Sequence, residues 1–329
     1  MKKIIFSCIV RELVKQVALF LKMIYMNRLR GTFTALITPM NQDGSVDFEG
    51  FRKNVKFQLE GGVTGLVPLG TTAETPTLDE RPGQEEDKLI EILMEEVRAF
   101  RNSTGKDIPV ILGAGSNNTK DAVAYTERAK RVGADYALVV APYYNKPSKE
   151  GIFRHFEAVS KVGIPVIVYN IKGRTGVNIP TDVLVRIAQL PNIAGVKEAS
   201  GDIVQMMEVI AQVKNKKPDF AVLSGDDMLT LPLMSAGGDG IISVVSNLCP
   251  RRIVDLVDAG LSGDFAKARE LHYGLLPMFK AAFVDGNPTS IKYAMNFKGL
   301  PAGTVRLPLV EVTDSAKKTI ESAISECKI

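Results

Sequence analysis

The sequence predicts an α/β fold, a (β/α)8 barrel with a C-terminal helical appendix. Two observations in its 329 residues lead to this fold class. Eight short runs of Val, Ile, Leu and Ala alternate with eight amphipathic stretches, and the runs are apolar throughout, as strands buried on both faces are. The strand pattern then stops near Gly260, and only helical patterns follow. A doubly wound sheet is the competing fold, but it usually has about five to seven strands and needs a topological switch.

The eight apolar runs predict the strands of the barrel. They are Thr32–Ile37, Gly65–Leu69, Val110–Gly113, Tyr136–Ala141, Pro165–Tyr169, Ile193–Lys197, Phe220–Leu223 and Gly240–Val244. The stretches between them repeat apolar residues at helical spacing, and capping residues such as Thr119 and Ser148 precede two of them. The predicted helices are Asp47–Leu59, Asp87–Phe100, Asp121–Val132, Lys149–Val162, Thr181–Leu190, Ile203–Val213, Asp227–Ala236 and Arg251–Leu261, followed by Phe265–Val284, Ser290–Asn296 and Thr313–Cys327.

These patterns divide the chain into an N-terminal extension at 1–25, the barrel at 26–261 and a C-terminal helical domain at 262–329. The extension holds five basic residues and one acidic residue, so it accounts for the whole net charge of +4. It begins like a secretory signal, but charged residues interrupt its apolar region and no small-residue cleavage site follows. Either it forms an amphipathic helix or the native chain starts at Met26, where the globular pattern begins.

Composition limits the classes of function. Residues 26–329 carry no net charge, so a nucleic-acid-binding surface is not expected. The longest stretch without a charged side chain, 61–73, has thirteen residues and is too short for a transmembrane helix. Three scattered cysteines give no disulfide framework and fit a cytoplasmic protein. Two histidines are too few for a histidine-rich zinc site.

Lys197 is the strongest candidate for catalysis. Functional side chains of such barrels lie where strands end at the C-terminal face, and Lys197 directly follows the apolar run 193–196. Burial lowers the pKa of a lysine and frees the lone pair that a Schiff-base nucleophile needs. The alternative is a structural ion pair with Glu198 or another acid of the barrel.

Other side chains at strand ends converge on the same mouth of the barrel. Tyr169 ends the preceding strand, where its hydroxyl can relay a proton or simply fill the core. Thr71 and Thr72 lie in a turn that can bind a carboxylate or serve the turn alone. Arg174 can form a fork on a substrate carboxylate or remain a surface residue. The paired acids at 226–227 precede a predicted helix with no histidine nearby, so they are interpreted as helix caps rather than metal ligands.

Five motifs in this order resemble the dihydrodipicolinate synthase branch of the pyruvate-dependent class I aldolases. They are Gly70–Glu74, Pro142–Pro147, Tyr169–Gly176, Gly195–Ala199 and Ser224–Asp227, and the resemblance extends over about residues 28–328. It implies an enzyme, a lyase-class synthase that condenses pyruvate with L-aspartate 4-semialdehyde. This is the 4-hydroxy-tetrahydrodipicolinate synthase reaction of the diaminopimelate route to lysine.

The resemblance also implies the chemical role of each residue. Lys197 forms an imine with pyruvate, and Tyr169 is the central proton-relay group, linked to Thr72 and to Tyr144 from a neighbouring subunit. The resulting enamine attacks the aldehyde of the second substrate, whose amine then cyclises and releases the lysine.

Substrate contacts and assembly follow from the same resemblance. Thr71 and Thr72 hold the pyruvate carboxylate together with the backbone at Ile242, and Arg174 orients the carboxylate of the semialdehyde. The family needs no metal and no organic cofactor, and no nucleic-acid or membrane partner is implied. Its members are commonly homotetramers, assembled as pairs of dimers.

Two residues depart from the family pattern. The family usually has glycine at the position of Ala73 and proline at the position of Lys172. Alanine strains the turn if the turn needs a positive φ. Lys172 adds a charge near Arg174 that favours an anionic acceptor. Both departures bear on acceptor specificity and leave the Schiff base intact.

Some members of the family are inhibited by lysine. Asn117, Asp121 and Tyr143 stand where regulatory contacts are expected, but Glu80 and Gly83 stand where some inhibited members have histidines. The sequence therefore predicts weak or absent inhibition by lysine.

Two other functions stay open. A sibling aldolase such as an N-acetylneuraminate lyase would use the same Lys197 and Tyr169 on a sugar acid, but the sugar-cleaving branches usually lack the triplet at 174–176. A non-catalytic binding protein would not need Lys197, Tyr169, Thr72 and Tyr144 together.

Overall fold

Eight parallel strands form the central sheet of the protein. The computed structural model describes residues 29–329, so the predicted extension at 1–25 lies outside the described residues. The strands are β1 (Gly31–Ala35), β2 (Gly65–Val67), β3 (Ile111–Gly113), β4 (Tyr136–Val140), β5 (Val166–Asn170), β6 (Ile193–Glu198), β7 (Ala221–Ser224) and β8 (Gly240–Ser243). All eight predicted strands are confirmed.

The sheet closes on itself. Its strand order is β2-β1-β8-β7-β6-β5-β4-β3, with every neighbouring pair parallel. A single parallel bridge joins Leu66 of β2 to Val110, which precedes β3, and the Leu66 N–H donates to the Pro109 carbonyl at 3.1 Å. The predicted (β/α)8 barrel is confirmed, because the outer strands of a doubly wound sheet would stay apart.

Helices follow the strands in turn, and three more complete the chain. Those of the described residues are α1 (Phe48–Glu60), α2 (Glu85–Thr104), α3 (Thr119–Arg131), α4 (Lys149–Ser160), α5 (Lys172–Thr175), α6 (Thr181–Ile187), α7 (Ile203–Val209), α8 (Thr230–Ser235), α9 (Pro250–Leu261), α10 (Phe265–Ala281), α11 (Thr289–Phe297) and α12 (Asp314–Glu326). The eleven predicted helices are confirmed. The single turn α5 was not predicted, because four residues are too few to show a period.

The ends of α3 and α4 show where capping was predicted well and where it was not. Ser148 caps α4 as predicted, since its Oγ accepts from the Gly151 N–H at 3.2 Å. The cap of α3 is Asn118, whose side chain accepts from the Lys120 N–H at 3.1 Å. The prediction of Thr119 as the cap was wrong by one residue, because Asn is at least as good a cap as Thr.

Successive side chains of each strand point to opposite faces of the barrel wall, so the strands contribute to two separate hydrophobic cores. Inward side chains such as Ile167 and Leu223 fill the barrel. Outward side chains such as Val168 and Val196 pack against the helices. A third core joins α9 to the C-terminal helices α10–α12, so these helices are packed onto one side of the barrel. The proposed division of the chain at 261/262 stays a prediction. No described helix is both long enough and apolar enough to cross a bilayer.

Candidate active site

A cavity of about 550 Å³ opens at the carboxyl ends of the strands. Residues at or beyond the ends of five different strands line it, and most of them are candidate residues of the sequence. They are Thr71 and Thr72 after β2, Tyr143 after β4, Tyr169 and Arg174 at and after β5, Lys197 near the end of β6, and Gly225 after β7. The structure therefore brings together side chains that are far apart in the sequence, as (β/α)8 barrels do.

Lys197 is buried beside Tyr169. The two residues are register partners on β5 and β6, and the Lys197 Nζ lies 4.2 Å from the centre of the Tyr169 ring. Burial lowers the pKa of Lys197 to about 7, and the negative charge of Asp227 opposes that shift without cancelling it. A large fraction of the side chain is therefore a neutral amine near pH 7, which is the nucleophilic form.

Glu198 is not the partner of Lys197. Because the next residue of a strand points to the opposite face, Glu198 lies outside the barrel wall. Its carboxylate accepts from the Ser200 N–H at 2.7 Å, from Gln205 Nε2 at 3.2 Å and from Asn170 Nδ2 at 3.1 and 3.2 Å. The alternative of a structural ion pair between residues 197 and 198 is thus wrong.

Thr71 and Thr72 have different partners. Burial raises the pKa of the Tyr169 phenol to about 12, and interaction with the Thr71 side chain acts in the opposite direction. The hydroxyl of Thr72 is buried and accepts from Asn287 Nδ2 at 3.0 Å. The predicted link of Thr72 to Tyr169 stays a prediction, and Thr71 is the threonine that influences the Tyr169 pKa.

Arg174 and Ile242 occupy different environments. Arg174 lies in α5, lines the cavity and donates to the Asn287 carbonyl at 3.1 Å. Ile242 lies inside β8, is 1% exposed and belongs to the core of the barrel. The residue of that segment that lines the cavity is Val244. Ile242 is not among the residues that line the cavity, and the contact of its backbone with pyruvate stays a prediction.

Tyr144 is exposed and is not among the residues that line the cavity of its own chain. It has a left-handed φ of 70° and is 89% exposed, whereas the preceding Tyr143 lines the cavity. The role of Tyr144 in a neighbouring subunit stays a prediction.

The paired acids after β7, Asp226 and Asp227, accept hydrogen bonds from the loops at the mouth of the barrel. Asp226 caps a 3-10 turn by accepting from the Met228 N–H at 2.9 Å, in agreement with the predicted capping role. Asp227 is buried, and its carboxylate accepts from Ser243 Oγ at 2.5 Å and from the Val244 N–H at 3.1 Å. Burial raises its pKa to about 6. No group of His, Cys, Asp and Glu side chains in the described part of the chain is arranged to hold a metal ion.

Sequence reasoning missed Asn287 and Gly225. Asn287 precedes a cis proline between α10 and α11 and contacts both Thr72 and Arg174. No pattern in the sequence points to it, because it lies beyond the barrel strands. Gly225 stands directly against Lys197, and its place in the motif after β7 was the available signal.

Comparisons with known proteins agree with this site. The model of the dihydrodipicolinate synthetase family matches residues 28–327. A 4-hydroxy-tetrahydrodipicolinate synthase from Protochlamydia amoebophila is 48% identical over 299 residues, which cover 91% of this chain and 96% of that protein. The chain belongs to the dihydrodipicolinate synthetase family. It is an enzyme, and its function is that of a 4-hydroxy-tetrahydrodipicolinate synthase, as the sequence analysis predicted.

Solved structures place the chain in the same family. The crystal structure of dihydrodipicolinate synthase from Thermotoga maritima has a TM-score of 0.85 at 40% identity and covers 91% of this chain and 98% of its own. A structure described as a monomeric dihydrodipicolinate synthase variant has a TM-score of 0.85 at 40% identity, with 91% and 97% covered.

The two departures from the family pattern lie in unstrained positions. Ala73 is buried at the end of a 3-10 turn, and the left-handed residue there is Glu74, with a φ of 56°. Alanine therefore does not strain this turn. Lys172 is exposed as the first residue of α5 and is not among the residues that line the cavity.

Proposed function

We propose that Lys197 is the residue that joins the enzyme covalently to pyruvate. Its neutral amine attacks the ketone carbon, water leaves, and an imine forms. Loss of a methyl proton converts the imine to an enamine, whose carbon attacks the aldehyde of L-aspartate 4-semialdehyde. The amine of that substrate then attacks the imine carbon, closes the ring and releases Lys197. The observation that carries this assignment is a buried lysine with a pKa of about 7 on the wall of the main cavity.

Tyr169 is the proton carrier of this scheme. Burial keeps its phenol protonated at neutral pH, so it can donate a proton and recover one without leaving a charge behind. We assign the hydroxyl that feeds it to Thr71 rather than to Thr72, because Thr71 influences the pKa of the phenol and Thr72 is engaged by Asn287.

The carboxylates of the two substrates are assigned to different sides of the cavity. The turn of Thr71 and Thr72 offers N–H groups and a hydroxyl to pyruvate. Arg174, held by the Asn287 carbonyl, offers a guanidinium to the semialdehyde. The backbone at Ile242, which lies in the same barrel core as Tyr169, is assigned to assist the turn in holding the pyruvate carboxylate.

Tyr144 is assigned to the cavity of a second copy of the chain. The proposed assembly is the homotetramer of the family, a pair of dimers, in the cytoplasm and without a metal or organic cofactor. Its support is the exposure of Tyr144, since a relay residue that is 89% exposed on its own chain needs a partner surface.

The test of this function uses purified protein, pyruvate and L-aspartate 4-semialdehyde, with Lys197→Ala as the control. We expect consumption of both substrates by the wild type, none by the variant, and a pyruvate adduct on Lys197 after borohydride reduction. An adduct formed without consumption of the semialdehyde would support the Schiff base on Lys197 and would make sugar acids the next acceptors to test. The absence of any adduct would contradict the proposed role of Lys197.

A further inference from the structure

The C-terminal region is hydrogen-bonded to the turn after β2 at three points. Each point is a hydrogen bond from a side chain of that region to the segment that carries Thr71. The pairs are Asn287 Nδ2 with Thr72 Oγ1 (3.0 Å), Lys292 Nζ with Glu74 Oε1 (2.8 Å) and Arg306 with the Thr77 carbonyl (2.6 Å).

The central point is a fully buried ion pair. The side chains of Lys292 and Glu74 are each 1% exposed. The Lys292 ammonium also donates to the carbonyls of Thr38, at 3.0 Å, and Thr304, so its three donors have three acceptors. The second carboxylate oxygen of Glu74 accepts from the Arg306 N–H at 3.0 Å. Each charged group therefore has the opposite charge beside it and further hydrogen bonds that fix its position.

Stability alone does not explain this pair. Apolar residues of the same volume are usually as stabilising as a buried ion pair, because removing two charges from water costs as much as their attraction returns. The pair instead fixes the geometry of the groups that it joins, because charge-assisted hydrogen bonds hold their atoms at defined positions.

The backbone of Glu74 is what the pair fixes. Glu74 has a left-handed conformation, with φ 56° and ψ 31°, and its N–H donates to the Thr71 carbonyl to end the 3-10 turn. A residue with a side chain adopts this conformation at an energetic cost and holds it where its surroundings impose it. The orientation of the turn, and with it the Thr71 hydroxyl, depends on that conformation.

We propose that Lys292 and Glu74 are positioning residues for the reaction: their buried ion pair lets the C-terminal helices hold the Thr71–Thr72 turn against Tyr169. The inference rests on the proposed function, because it deepens the role assigned to that turn. It makes the C-terminal helices part of the pyruvate site, although neither residue touches the substrate.

The experiment compares Lys292→Met with Lys214→Met in the full-length protein. Lys214 pairs with the buried Asp239 at 2.6 Å, and Asp239 immediately precedes β8, at the opposite end of the barrel from the cavity. Both variants remove a lysine from an ion pair whose acid is 1% exposed. The readouts are the pyruvate concentration that gives half-maximal borohydride trapping on Lys197, the KM for each substrate, and the thermal midpoint.

We expect Lys292→Met to raise the half-saturating pyruvate concentration about tenfold or more, since small misplacements of catalytic groups are costly. The KM for the semialdehyde stays near the wild-type value, because Arg174 is not held by this pair. Lys214→Met lowers the thermal midpoint and leaves the pyruvate response unchanged. Equal pyruvate responses in the two variants would overturn the inference. A wild type that traps pyruvate without consuming the semialdehyde would count against the proposed function alone.

Glu74→Gln keeps the inference testable if Lys292→Met does not fold. It preserves the volume of the side chain but turns one acceptor into a donor, which then faces either the Lys292 ammonium or the Arg306 N–H. We expect the same rise in half-saturating pyruvate, with Asp239→Asn as the matched control. A wild-type pyruvate response in Glu74→Gln would overturn the inference.

Discussion

Two neighbouring residues of β6 show how position alone sets side-chain chemistry. Glu198 faces the helix layer, where four hydrogen bonds from three residues hold its carboxylate. Lys197 faces the cavity, where no comparable set of hydrogen bonds stabilises its charge. Burial therefore lowers its pKa to about 7. The strand thus places a hydrogen-bonded carboxyl group, whose pKa burial raises, and a nucleophilic amine side by side, on opposite faces of the barrel wall.

Imine formation is expected to follow the deprotonation of Lys197. The lowered pKa means that the folded protein releases this proton near pH 7 instead of near 10.5. Below pH 7, the rate of borohydride trapping with pyruvate should rise about tenfold per pH unit, and above pH 8 it should level off. The measurement is the initial trapping rate at subsaturating pyruvate from pH 5.5 to about pH 9. A rate that keeps rising up to pH 10 would mean that the lysine has its ordinary pKa.

Gly225→Ala is expected to slow imine formation by crowding the lysine. A Cβ at this position would lie 2.9 Å from Lys197 Cε and 2.7 Å from Ala199 Cβ, closer than carbon atoms normally approach. Lys197 must then shift, and we expect a loss of roughly tenfold or more in the trapping rate. The matched control is Gly274→Ala on an exposed part of α10, where the nearest atom is 3.7 Å away. Equal rates in the two variants would contradict the crowding argument.

At the scale of elements, the strand ends could be predicted and the turns beyond them could not. A buried strand has a distinct apolar signature, so the sequence placed Lys197 and Tyr169 at the mouth of the barrel. The choice between Thr71 and Thr72 depends on the left-handed Glu74, which is held by Lys292, 218 positions away. A contact between residues so far apart in the chain produces no local pattern that a single sequence could reveal.

The surface between α2 and α3 is expected to bind lysine weakly. The Glu80 carboxylate there accepts from the Tyr125 hydroxyl at 2.6 Å, and Arg128 is paired with Glu86 and Asp87. These charges are already engaged and would need to be released before they could bind an amino acid.

Gly83 points to the same conclusion about lysine. Its φ of 75° disfavours the histidine that some inhibited relatives have at this position. We expect the initial rate to stay nearly constant up to about 0.1 mM L-lysine, well below the Kd of about 1 mM that corresponds to a ligand bound with roughly 4 kcal/mol. Sodium chloride at equal ionic strength is the control. A steep fall in the rate at micromolar lysine would contradict this prediction.

At the scale of the whole molecule, the barrel follows from local patterns but the complete site does not. Eight strand–helix units in sequence have few ways to pack other than a closed barrel, so the fold could be predicted from periodicity. The contacts of the C-terminal helices with the mouth arise from packing between distant segments, and the proposed role of Tyr144 depends on contact between copies of the chain. Both lie beyond what periodicity encodes.

A site shared between two copies predicts complementation between two inactive variants. Tyr144→Phe keeps Lys197 but removes the hydroxyl that its neighbour needs, and Lys197→Ala keeps that hydroxyl but has no nucleophile. After the two proteins are dissociated and reassociated in equal amounts, half of the dimers are mixed and each contains one complete cavity. The mixture should therefore recover about one quarter of the wild-type activity, whereas each variant alone stays strongly impaired. Dilution of the wild type to monomers should correspondingly abolish its activity. If Tyr144 served the cavity of its own chain, mixing would restore nothing, because every cavity would still lack one of the two groups.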